Sequence, residues 1–434
     1  MTNVILILIA ALPLYVIRFS FFSIPSTLLE IMSLILVTIF LLKEKFSSRR
    51  FPFDIELLLW LAIGFAAASI TSFSLSSLGI WRAYFFEPAL LFIIFIHVFN
   101  NKRKYIQTGL ALAVSAIVIS LIAIYQYLTG HFIPNPSWVP LAVRRVTSIF
   151  PFPNAVGLYL APITMFLVGV FCGILARIKK VGISASMKKE LILVGAGIVL
   201  SVIAILLARS EGAIFALAIS GLVALHSATK KTRMIAHVLA LIVVISIIAS
   251  PKIKDYVIDR VTLNNFSGQV RKIQWHETWK MLKDGRLFTG AGLANYQTVI
   301  KPYHQEGFFY NRDKLAEAEF LARVHGDPAY RANHWQPLEI YLYPHNIVLN
   351  FWSELGILGL LLFAWIIVRY FYIGIIAYRK ARAANDPFAW VIFGLLFSML
   401  VIIIHGIVDV PYFKNDLAIM FWLFIALMSV APRL

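Results

Sequence analysis

Residues 191–228, LILVGAGIVLSVIAILLARSEGAIFALAISGLVALHSA, decide the fold. They lie between two basic clusters, Arg177–Lys189 and Lys230–Arg233. One helix over these roughly forty residues would run about 60 Å, twice the ~30 Å of membrane hydrocarbon. Lysine and arginine loops stay on the cytoplasmic side of a membrane, so both clusters belong on one side and the stretch must fold back as a helical hairpin. Its only turn is Arg209-Ser210-Glu211-Gly212. The return arm, 212–227, reaches only about 24 Å, so the turn sits below the outer surface and Arg209 is partly buried there.

The same alternation runs along the whole chain. Apolar runs of about 20 residues recur, each sufficient to cross the hydrocarbon. The spacing predicts twelve spans, at 4–22, 24–42, 55–75, 78–98, 106–128, 154–176, 190–208, 212–227, 235–250, 346–368, 388–407 and 415–431. Short basic clusters at Lys43–Arg50, Lys102–Lys104, Arg177–Lys189, Lys230–Arg233 and Arg379–Arg382 separate them on one side. Placing these inside puts both termini in the cytoplasm. The bulk figures agree, with 60% hydrophobic residues and 14% charged and a mean hydropathy of +0.82. A soluble domain is far less apolar. The net charge of +18 is explained by the inside clusters, so nucleic acid is not an expected partner. Val4–Phe22 lacks the basic start and small-residue cleavage site of a signal peptide and is taken as a retained first helix. One cysteine, Cys172, excludes disulfides. The ten histidines show no metal-site spacing.

The expected class is therefore an all-α polytopic membrane protein of about 12 transmembrane helices with one long helical extracytoplasmic loop. Three regions follow: helices 1–6 in 1–189, a core at 190–368 containing the loop 251–345, and two last helices in 369–434. Within the loop, Ser267 is expected to cap an amphipathic helix over Gly268–Asp284, and Asp313–Val324 to form another after Asn311. A glycine-rich turn, Leu287–Gly292, lies between them.

Three outward residues combine cost and chemistry. Arg209 is a charge at membrane depth, which marks a functional site unless it merely snorkels to headgroups. Arg271 opens the loop helix and is followed by Trp275 and Trp279, whose rings suit sugar faces; its planar fork suits pyrophosphate oxygens. His345, in Tyr343-Pro344-His345-Asn346, stands at a helix start and has a proton affinity near neutrality. Arg145 and Asn154 flank another outward stretch, with Asn154 the expected N-cap of the sixth span. Arg82 with Glu87, and Arg18 with Glu30, are expected to pair inside the bundle. His405 and Asp409 close the eleventh span without an assigned role. No DxD or similar carboxylate cluster is present to hold Mg²⁺ or Mn²⁺. A departing pyrophosphate would then be neutralised by guanidinium groups.

These residues together resemble the O-antigen ligase and Wzy-type polymerase superfamily of bacterial membrane glycosyltransferases. The resemblance is carried by His345-Asn346-xx-Leu349 running into Glu354-Leu355-Gly356, by Arg209-Ser210-x-Gly212, by Arg271 with Trp275 and Trp279 ahead of Gly290-x-Gly292, by Arg145 through Asn154, and by His405-xxx-Asp409. It implies a GT-C-like fold in the bacterial cytoplasmic membrane with an outward site. It implies transfer of a glycan from undecaprenyl diphosphate to an acceptor hydroxyl, inverting, with no metal or other cofactor. Arg209 and Arg271 would bind the donor pyrophosphate and His345 would activate the acceptor. Arg145, Asn154, Trp275, Trp279 and Asn346 would bind substrate. Membrane lipids are partners, and the acceptor is a glycan or a lipid-linked glycan. Glu211 departs from the simplest pattern and could engage Arg209. Polymerisation is the close alternative. A lipid-linked oligosaccharide flippase is the distant one, for which the chain lacks paired repeats.

Overall fold

The computed structural model describes residues 1–21, 24–43 and 51–434. Apart from single turns, its helices are α1 (Thr2–Ala10), α2 (Leu28–Lys43), α3 (Asp54–Ser69), α4 (Leu75–Val98), α5 (Lys102–Thr129), α6 (Pro153–Val181), α7 (Ala185–Leu207), α8 (Glu211–Ala228), α9 (Lys230–Ala249), α10 (Pro251–Val261), α11 (Phe266–Met281), α12 (Glu317–Gly326), α13 (Pro328–His334), α14 (Ile347–Ala383), α15 (Phe388–Gly406) and α16 (Asn415–Val430). Two small antiparallel pairs complete it: β1 (Arg18–Phe21) with β2 (Ile24–Thr27), and β3 (Gly307–Phe309) with β4 (Trp335–Pro337). The protein is an all-α polytopic membrane protein. Among the described residues nine helices, α4–α9 and α14–α16, are long and apolar enough to cross a membrane.

The expected hairpin is present as α7 and α8, turning at Ala208–Ser210. The first expected span is not one helix. After Ala10 the chain tightens into a 3₁₀ turn, Leu12–Val16, and then enters the β1–β2 pair. Pro13 and Pro25 lack the N–H that a continuing helix needs. α2 and α3 have 16 residues each, short for a crossing. Phe22 and most of the basic cluster Lys43–Arg50 lie outside the described residues. In the loop, Asn265 rather than Ser267 precedes α11, and the second helix is displaced to Glu317–Gly326.

α6 and α15 form the central pair. A Cβ on Gly169 would lie 2.5 Å from Gly394 Cα, so these backbones touch. Close approach through small residues is how helices associate where lipid removes the hydrophobic incentive. At one end of the bundle the basic clusters meet: Lys102 pairs with Asp386 at 2.5 Å, Arg103 with Glu190 at 2.7 Å, and Arg382 donates to Ala228 O. Within the bundle Arg82 bridges Glu30 (2.9 Å) and Glu87 (3.3 Å). Glu30 is thus held by Arg82, not by Arg18, because Asn415 and Arg82 reach it first from α16 and α4.

α14 is broken at Gly356, whose φ of 72° and ψ of −176° lie in a region open essentially to glycine alone. The break frees the Ser353 carbonyl, which accepts the Ala291 N–H at 2.6 Å. A Cβ on Gly290 would lie 2.5 Å from that same oxygen, and one on Gly356 would lie 1.9 Å from Phe288 O. The glycine-rich turn thereby seats the long loop directly on the broken helix. Trp352 Nε1 adds a bond to Leu287 O at 2.7 Å.

Candidate functional site

At the end opposite the basic clusters, the segment joining α15 to α16 is the hub. The Tyr412 hydroxyl accepts the indole N–H groups of Trp60 (3.0 Å) and Trp422 (3.2 Å) and donates to Tyr84 O (2.6 Å). A buried hydroxyl with all its bonds made fixes the backbone around it. Three remote parts of the chain then dock on 407–409. Arg271 Nε donates to Val408 O at 2.8 Å, Asn346 Nδ2 to Ile407 O at 2.9 Å, and Asn154 Nδ2 to Asp409 Oδ2 at 3.2 Å.

The Arg209 turn sits beside this hub. Arg209 has a φ of 49°, a left-handed conformation that is costly for a side-chain-bearing residue. Its carbonyl and that of Ala208 face the guanidinium of Arg145, at 3.3 and 3.2 Å. Arg145 also donates to Asn154 Oδ1 at 3.1 Å. A cation over the last carbonyls of α7 satisfies acceptors that the helix leaves open. Gly157 and Gly212 let the neighbours close in: a Cβ on Gly157 would lie 2.4 Å from Ser210 Oγ, and one on Gly212 2.8 Å from the His405 ring. The Arg209 guanidinium donates to Ala142 O at 3.0 Å and is otherwise exposed. Glu211 engages Arg260 at 2.9 Å, which leaves Arg209 without an acid partner among the described residues. Burial and the nearby cations Arg209 and Arg271 together depress the Arg145 pKa, against Glu211. Three guanidinium groups within mutual electrostatic reach repel one another, and a multiply charged anion relieves that.

His345 approaches from the loop. It too has a left-handed backbone, with φ of 47°. Trp275 Nε1 holds the preceding Pro344 O at 2.8 Å. Asn346 caps α14 through Leu349 N at 3.0 Å. The ring lies 5.2 Å from Tyr341 and 5.3 Å from Tyr343, with Nδ1 3.2 Å from Gln274 Oε1. A carbonyl oxygen accepts, so this contact places the proton on Nδ1 and leaves the Nε2 lone pair open. Burial lowers the His345 pKa; Arg271 and Lys414 lower it further, and Asp409 opposes them. The imidazole is neutral at pH 7. Asp409 would be raised by burial, but His345, His405, Arg271 and the Val410 N–H hold it low, so it is ionised. Burial likewise lowers Lys414.

The structure brings Arg145, Asn154, Arg209, Arg271, His345 and Asn346 together around 407–409. Asn154 is not the N-cap of its helix: α6 starts at Pro153 after Phe152, which turns the Asn154 amide toward Asp409 and Arg145. Trp275 braces the His345 turn. Trp279 stands apart, edge-on to Trp352 at 5.6 Å and under Lys283 at 5.0 Å. Two participants escaped the sequence reading. Gln274 is a buried polar side chain three residues after Arg271 on one helical face, and Lys414 is a lone cation immediately before an apolar run.

Residues 196–364 match the family model described as O-antigen ligase. No curated protein matches the chain at a significant level.

Proposed function

We propose that this chain, whose residues 196–364 match the O-antigen ligase family model, transfers a glycan from undecaprenyl diphosphate to an acceptor hydroxyl at the outer face of the bacterial cytoplasmic membrane. The observation that supports this most is the meeting of Arg145, Arg209 and Arg271 with a neutral His345 at the loop end of the bundle.

On this reading the acceptor oxygen attacks the anomeric carbon and His345 Nε2 takes its proton. The bond from that carbon to the diphosphate oxygen breaks, and the diphosphate leaves with the electron pair. Arg209 and Arg271 stabilise the charge that develops there, without a metal. A single displacement inverts the anomeric centre. The site lies at the outer surface, both termini are cytoplasmic, and the donor arrives laterally, held by its lipid tail. Asn346 and Asn154 hold the hub rather than the sugar.

Arg82 is paired with Glu30 and stands 3.3 Å from Glu87 within the bundle, a structural use of these charges that speaks against a transport pathway. Ligation and polymerisation share this donor chemistry and differ in the acceptor. The test is transfer in vesicles carrying the lipid-linked donor. Arg209→Ala, Arg271→Ala and His345→Ala are each expected to lose about 10²–10³ in rate, the cost of one transition-state contact. Full transfer by any two of them refutes the site, and lipid translocation without a new glycosidic bond refutes the transferase.

A further inference from the structure

The β3–β4 strand pair of the long loop carries an open groove that the transfer chemistry leaves unused. Phe309 and Trp335 are paired across its strands, with their rings edge-on and centroids 5.0 Å apart. Arg331 of α13 lays its guanidinium 5.5 Å from the Phe309 ring. With Pro328 and Ala332 these residues line a cavity of about 490 Å³, within the range of small-ligand sites.

The cavity is braced. Asp327 caps α13 through Ala329 N and Tyr330 N, Tyr330 stacks on His334 at 3.8 Å, and both bond to Asp313. Its contents are nevertheless open. Trp335 is 41% exposed, and neither its indole N–H nor the Arg331 guanidinium has a hydrogen-bond acceptor among the described residues. An open aromatic face beside solvent-facing donors matches a sugar, whose C–H face packs on the ring while its hydroxyls or a carboxylate take the donors. The strand pair is also tied to α11, the helix that carries Arg271. Gln305 N donates to Glu277 Oε1 of α11 at 2.7 Å, and Leu338 N to Glu306 O at 2.9 Å. The ten residues from Trp335 to His345 span at most about 35 Å, so a glycan of several sugars can touch both places.

We propose that the cavity of Phe309, Arg331 and Trp335 is a glycan subsite that holds the transferred chain at a distance from its reacting end. This rests on the transferase reading. Contacts so far from the reacting bond are equal in the bound and transition states, so they lower KM and leave kcat alone.

The experiment reconstitutes the full chain in phospholipid vesicles with lipid-diphosphate donors bearing one repeat unit or many. Trp335→Ala is expected to raise KM about tenfold for the long donor, with kcat and the one-unit donor unchanged. Trp335→Phe, which keeps a ring, restores most of the loss. In parallel, glycan released from the long donor by mild acid is titrated calorimetrically into the purified chain, and its binding is expected to weaken with Trp335→Ala and Arg331→Ala. Unchanged KM for the long donor in Trp335→Ala, or no binding of the free glycan by the wild type, overturns the subsite. A wild type that transfers nothing from either donor refutes the transferase instead, and the titration still decides the subsite.

Discussion

Arg145→Ala should disable transfer through Arg209 rather than directly. The guanidinium of Arg145 closes three acceptors: Ala208 O, Arg209 O and Asn154 Oδ1. Ala208 is fully buried, so its carbonyl would be left unsatisfied at a cost of about 1–3 kcal/mol. Arg209 sits at an exposed turn, where water replaces the lost bond and the cost is small. The left-handed backbone of Arg209 stores a further ~1–2 kcal/mol, which these contacts hold in place. Together about 3 kcal/mol favours relaxation of the turn, and at 1.36 kcal/mol per decade this is a loss on the order of 10² in kcat/KM. Arg145→Lys offers one point charge in place of a fork and should recover only part. The assay is a double-mutant cycle in the vesicle transfer reaction, with Arg145→Ala, Arg209→Ala and their combination. If Arg145 acts by positioning Arg209, the double variant is no slower than Arg209→Ala alone. Additive losses, or wild-type transfer by Arg145→Ala, would refute the reasoning.

Three further outcomes follow from the geometry. If the neutral form of His345 is the base, as proposed, transfer should fall on the acid side as pH drops through its lowered pKa. Lys414→Gln removes a cation that lowers this pKa and should move the acid limb to higher pH. Asp409→Asn removes an anion that raises it and should move the limb lower; shifts in one common direction would contradict the assignment. Gly356→Ala places a methyl 1.9 Å from Phe288 O in a backbone region worth about 1–3 kcal/mol to a non-glycine residue; the loop should undock, seen as faster proteolysis within 251–345 and a lower Tm, and an unchanged digest speaks against the docking. Arg82→Ala strands the buried Glu30 carboxylate and should cost about 3 kcal/mol of stability, read by thermal unfolding in detergent, whereas lost function at unchanged Tm would favour a transport pathway.

Hydrophobic length and basic clusters were enough to establish the membrane class and the α7–α8 hairpin. A forty-residue apolar stretch between two basic clusters is too long for one crossing and folds back, because every backbone polar group in hydrocarbon must be paired locally. The arginines and His345 were legible because a charge beside an apolar run stands out from its surroundings, although Arg209, expected to be partly buried, is exposed. The interrupted first span was not legible. Pro13 is tolerated at a helix start and disruptive further in, and composition does not distinguish the two. Nor did the sequence show what Asn154 holds, because its helix begins two residues earlier than a capping rule expects. The meeting of Arg271, Asn346 and Asn154 on 407–409 joins parts of the chain separated by 61 to 255 positions. Local periodicity cannot report such contacts. They depend on how Tyr412 pins one loop and how Gly356 breaks one helix, and both are properties of packing. The kinds of residue at the site were set in the sequence. Which of them keep polar ends open and which are spent holding one another was decided by the tertiary structure.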